Sequence, residues 1–88
     1  MYVFLVGTII EEPEFKFIIS KNLNFKECRH MSISRFNLKI DNETIITVKA
    51  YDGIADFCYS NLKKGDFITI SGNINDSFEI VIDFCQKL

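Results

Sequence analysis

Arg35, Asn37 and Lys39 occupy alternate positions in one stretch of the chain, and Thr47, Lys49 and Tyr51 do so in the next. In an extended strand alternate residues share a face and stand about 7 Å apart. Guanidinium and ammonium groups at that spacing suit successive phosphates of an extended nucleic-acid strand. The Asn37 amide and the Thr47 hydroxyl can hydrogen-bond phosphate oxygens or base edges. The Tyr51 ring offers a flat surface on which a base can stack. The same residues equally describe a solvated sheet face, whose lysines keep it soluble and block edge pairing. Taken by themselves they leave both readings open.

Other chemistry is sparse. Lys16, Lys21, Lys26, Arg29 and His30 form a second basic group, which reads as a solvated loop or as a flank for a bound strand. His30 has no second histidine and no CxxC neighbour, so no metal site is expected. No serine, cysteine or carboxylate has a visible base partner, and no glycine-rich loop cradles a phosphate. The expectation is a non-enzymatic chain without a cofactor or a small-molecule substrate. Cys28, Cys58 and Cys85 are odd in number and widely spaced. They read as reduced, mostly buried thiols in a reducing interior.

These side chains need elements to hold them. Residues 2–10 are rich in β-branched and aromatic types and predict a strand. Within it Val3 and Leu5 face inward and Tyr2, Phe4 and Val6 outward, with a bulge or bend at Gly7. Pro13, among glutamates, ends that strand. Phe15 to Ile19 is extended again, and residues 20–31 read as a loop. Residues 32–41 alternate, with Phe36, Leu38 and Ile40 on the dry side. Asp41, Asn42 and Glu43 make a turn, and residues 44–51 alternate with Ile46, Val48 and Ala50 inward. From Asp52 the period changes: Ile54, Phe57, Cys58 and Leu62 predict a helix over 52–61. Asp52 is its expected N-cap, Lys63 and Lys64 suit its C-terminal end, and Gly65 its left-handed stop. Strands over 67–71 and 78–84 flank a turn at 72–77. Five strands with one helix between the third and fourth is the order of an all-β Greek-key OB-fold barrel.

The chain has 88 residues, 48% of them hydrophobic, with a net charge of −2. That is one domain spanning residues 1–88, too apolar to be disordered and not globally basic. No apolar run is long enough for a membrane helix, and the first residues lack a secretory signal. Nine phenylalanines are more than so small a barrel can enclose. Some must therefore lie outside, and self-association through the first strand and the Phe15–Phe17 segment is expected.

The sequence resembles the OB domain of bacterial and organellar single-stranded DNA-binding proteins and their short primosomal relatives. The opening YVFLVGTIIEEPEFKF is similar to that family's first strand and turn, with Gly7, Pro13, Glu14 and Lys16 on its landmarks. The stretch VKAYDGIADFCYSNLKKGDFITISGNI is similar to its third strand, helix and fourth strand, with Tyr51, Lys64, Gly65 and Gly72 in frame. ISRFNLKI fits the second strand loosely. The chain departs from the family in having no tryptophan, with Ile45 where a ring is frequent. It also has a short turn at 73–77, and no acidic tail is expected after Leu88. The resemblance implies binding of single-stranded DNA or RNA by a homodimer or homotetramer, on Arg35, Asn37, Lys39, Thr47, Lys49 and Tyr51. The alternative is a protein-interaction barrel that has lost this binding. High Ile, Asn, Lys and Phe content suits an AT-rich source, hence a bacterial cytoplasm or a plastid.

Overall fold

Seven elements follow one another: β1 (Tyr2–Ile9), β2 (Glu14–Asn22), β3 (Glu27–Lys39), β4 (Ile45–Tyr51), α1 (Asp52–Asn61), β5 (Phe67–Ile74) and β6 (Ile80–Lys87). The computed structural model describes the backbone of residues 1–22 and 27–88 and the side chains of 1–18 and 31–88. Phe25 and the side chains of Lys21, Lys26, Cys28, Arg29 and His30 therefore lie outside the described residues.

The β3–β4 hairpin follows from its alternation. Phe36, Leu38, Val48 and Ala50 are buried on one face, while Arg35 and Lys39 are exposed on the other. The Asp41 carboxylate accepts the Glu43 N–H at 2.8 Å, and Ile40 N–H donates to Thr44 at 2.9 Å, closing the turn. β1 pairs with β5, β5 with β6, β6 with β4, β4 with β3, and β3 with the end of β1 at Thr8↔Lys39 and Ile9↔Leu38. That circuit closes a five-stranded barrel, and the β4–β6 pairing is parallel. α1 lies between the third and fourth barrel strands, β4 and β5, as an OB fold requires.

The core is aliphatic. Ile9, Leu38, Val48, Ile68 and Ile70 are fully buried beneath the α1 residues Ala55 and Cys58. Each such aliphatic burial contributes roughly 1.5–3 kcal/mol. The helix boundaries match the expected 52–61, but its ends do not. The N-cap is Tyr51, which makes no side-chain capping bond, and Asp52 itself takes φ 54. Leu62 closes the C-terminal end by donating its N–H to the Cys58 carbonyl at 3.0 Å. Gly65, at φ 93, instead turns the following loop and donates to the Ile9 carbonyl at 2.7 Å. Phe57 stays exposed, and Ala55 takes the buried place expected for it.

Other expectations change in ways that geometry explains. Residues 20–22 and 27–31, read as loop, are strand: β2 and β3 pair without a break from Glu14↔Arg35 to Asn22↔Glu27. Cross-strand hydrogen bonding holds this ribbon where side-chain periodicity is absent. Residues 23–26 lie outside the described residues. The irregularity expected at Gly7 falls at Ser71/Gly72, while Gly7 pairs in register with Ile68. Gly7 serves close approach instead, since a Cβ there would lie 2.6 Å from the Lys39 carbonyl oxygen. β5 runs on to Ile74, and β6 covers Ile80–Lys87 rather than 78–84.

Candidate nucleic-acid interface

Register sets the outer wall of β2, β3 and β4 in cross-strand rows. Lys16 stands opposite Ile33, which stands opposite Tyr51. In the next row Glu14 faces Arg35, which faces Lys49. Asn37 then faces Thr47, and Lys39 faces Ile45. All six residues expected to bind therefore share one face. A groove of about 230 Å³ runs between Glu14, Lys16, Ile18, Ile33, Arg35 and Lys49. Lys16, grouped by sequence with the loop, belongs to this face.

The six are not equally free. Glu79, just before β6, lies between the two facing cations. Its Oε2 is 3.6 Å from Arg35 Nε, and its Oε1 is 3.2 Å from Lys49 Nζ. The Glu79 side chain is only 13% exposed, against 53% for Arg35. The Lys49 ammonium, then the Asn75 amide, hold the Glu79 carboxyl below its usual range. Asn75 also accepts the Glu79 N–H at 3.0 Å and the Ser77 N–H at 2.9 Å, which fixes the turn that carries Glu79.

Asn37 is engaged as well. Its amide donates to Glu11 Oε1 at 2.7 Å and its oxygen accepts the Thr47 hydroxyl at 3.0 Å. Lys39 is exposed and makes no ion pair among the described residues. Tyr51 is half-buried. The wall is thus mixed in sign, with Glu11, Glu14 and Glu79 set among its cations.

Two residues at this edge escaped the sequence reading. Glu79 gave no periodic signal, because turn and strand meet there. Phe78 did give one: a ring following Asn75, Asp76 and Ser77 in a polar turn. It is 86% exposed, in the left-handed region at φ 60, and its neighbour Glu79 touches both cations. Backbone strain of this kind persists only where the surroundings hold it.

A second exposed surface lies across the barrel. Tyr2, Phe4 and Val6 of β1 point outward as expected, and Phe67 and Phe84 are exposed on β5 and β6. Tyr2 hydroxyl donates to Asp83 at 2.8 Å. Phe15, on the opposite side of β2 from Lys16, stacks on Tyr59 of α1 with ring centroids 4.7 Å apart.

The arrangement can be set beside known proteins. No protein-family model matches the sequence, and no curated protein matches it. Among solved structures, the wild-type single-stranded DNA-binding protein from Thermus aquaticus superposes with a TM-score of 0.74 at 19% identity over 99% of this chain. This chain spans 39% of that protein's length. The SSB domain of a Synechococcus sp. protein gives 0.71 at 12% identity, covering 97% of this chain and 92% of its own. A mitochondrial single-stranded DNA-binding protein from S. cerevisiae gives 0.70 at 11% identity, covering 100% and 93%. The chain has the SSB-like OB fold. The SSB-like barrel here closes through β1, β5, β6, β4 and β3, and β2 extends it as a ribbon beside β3.

Proposed function

We propose that this chain binds single-stranded DNA, without catalysis, on the β2–β3–β4 wall. The observation that carries the reading is the row Arg35–Lys49, two cations in direct register with Tyr51 two residues along. On an OB barrel this wall is where oligonucleotides lie. Lys39 and Lys16 extend the cationic line, and Asn37 and Thr47 supply polar contacts beside it. Tyr51 and Phe78 supply rings, each stacked base contributing on the order of 1–3 kcal/mol. With no tryptophan, affinity per chain is modest, and repetition of the site in a homodimer or homotetramer raises it. The exposed Tyr2, Phe4, Val6, Phe67 and Phe84 face is the surface for that self-association.

A second reading has its own observation. Glu79 already neutralises Arg35 and Lys49, which favours a protein-interaction barrel without nucleic-acid binding. Titration of labelled oligo-dT and oligo-U at low salt, with sizing of the free and mixed chain, separates the two. Saturable binding of oligo-dT supports the first reading. No binding of either at tens of micromolar overturns it and favours the second.

A further inference from the structure

The bridge made by Glu79 is built as a phosphate would build it. A phosphodiester offers two non-bridging oxygens that cations can share. The Glu79 carboxylate divides its two oxygens in the same way, Oε2 toward Arg35 at 3.6 Å and Oε1 toward Lys49 at 3.2 Å. Without a counter-charge, Arg35 and Lys49 would repel across the strands, because like charges directly opposite are unfavourable. Asn75 keeps the carboxylate aimed, donating to Oε1 at 3.3 Å and accepting the Glu79 N–H. Arg35 stays largely open to solvent, so an incoming anion can reach it.

We propose that Glu79 is an internal competitor for the phosphate position between Arg35 and Lys49, and so sets the affinity of this wall for single-stranded nucleic acid. The inference rests on the DNA-binding reading above. A tethered carboxylate has a high effective concentration at its own site. A single phosphate competes poorly against it. A strand that also engages Lys39, Lys16 and the rings gains enough from several contacts to displace it. Glu79 therefore makes the wall selective for polyanions over mononucleotides.

The test compares wild type, Glu79→Gln, Glu79→Asp and Arg35→Ala by fluorescence anisotropy with labelled oligo-dT, thymidine monophosphate serving as the competitor. Two surface-type ion pairs removed together correspond to roughly two- to thirty-fold. Glu79→Gln should bind oligo-dT tighter by that factor, with a salt slope steeper by up to about 0.7. Glu79→Asp, which keeps the charge, should stay near wild type. In the wild-type protein, the carbon-13 titration of the Glu79 carboxyl, which faces Arg35 and Lys49 with Glu14 lining the same groove, should move up when oligo-dT is bound. That measurement does not depend on the variant folding. If Arg35→Ala weakens binding but Glu79→Gln does not tighten it, or the Glu79 titration stays put, the competitor role is overturned and the DNA-binding reading stands. If neither wild type nor Glu79→Gln binds oligo-dT, both are overturned.

Discussion

Arg35 and Lys49 stand directly opposite each other across β3 and β4, and a single carboxylate joins them. Lys39, further along β3, has no ion pair among the described residues. Lys49 and Lys39 thus start from different states, the first in an ion pair and the second in none among the described residues. Lys39→Ala with Lys49→Ala should weaken oligo-dT binding and flatten the slope of log affinity against log salt. Each lost phosphate contact removes about 0.7 from the slope. Anisotropy titrations at three or more salt concentrations read this out, and an unchanged slope counts against this wall.

Phe78 contributes little to the core, being 86% exposed. Phe78→Ala should leave the melting temperature nearly unchanged. If the ring receives a base, the same variant loses roughly 1–3 kcal/mol of oligo-dT affinity. Equal affinity for Phe78→Ala and wild type removes Phe78 from the site and leaves stacking to Tyr51.

Acid should loosen the fold through three carboxylates. Asp66 sits below its ordinary value because it accepts the Lys63 backbone N–H, at 2.8 Å, with Lys87 beside it. Asp41 is lowered chiefly by the Glu43 backbone N–H, and Glu79 chiefly by Lys49. Folded values below the unfolded ones mean stability that is present above the unfolded carboxylate range. It is lost as pH falls through the folded values. Melting temperature should therefore hold from neutral pH to about pH 5 and then drop, a course that follows from ordinary carboxylate titration. Asp66→Asn should blunt the drop in thermal melts taken across that range.

Glycines at two positions should respond in opposite directions. A Cβ on Gly72 would lie 2.1 Å from the Val81 carbonyl oxygen and 2.7 Å from Ile82 Cα. Backbone must shift to admit it, so Gly72→Ala should cost about 3 kcal/mol or more, in the range of severe overpacking. Gly53, in the first turn of α1, has open space around that position. Gly53→Ala should stabilise by about 0.4–1 kcal/mol, because alanine narrows the unfolded ensemble. Urea melts of the two variants against wild type measure both.

Much of the barrel was legible because its strands are wet on one side. Phe36, Leu38, Val48 and Ala50 declare an inner face by period two, and Cys58 and Leu62 declare a helix by the change of period. The ribbon of β2 and β3 was hidden because residues 20–31 show no alternation. The helix ends depart from the residue-type expectation because Asp52 and Gly65 are capping types whose backbone is committed elsewhere. The shared face of the candidate residues was legible, since spacing alone puts Arg35, Asn37 and Lys39 on one side. Their charge state was not. Glu79 reaches that row from far along the chain, where the parallel pairing of β4 with β6, Val48↔Ile80 and Lys49↔Val81, brings it alongside.

In the strand order β2 comes last, bordered by β3 on one side and by no strand on the other among the described residues. Its outer margin is a template on which an extended segment of another chain can be hydrogen-bonded. Glu14 and Lys16, both exposed, put charge on that strand, and charge on a border strand is what deters fibril growth from it. Charge at these two positions works against strand addition along that margin, whatever it adds to ligand capture. A lineage that traded both for apolar residues would keep its barrel and gain a seed for aggregation.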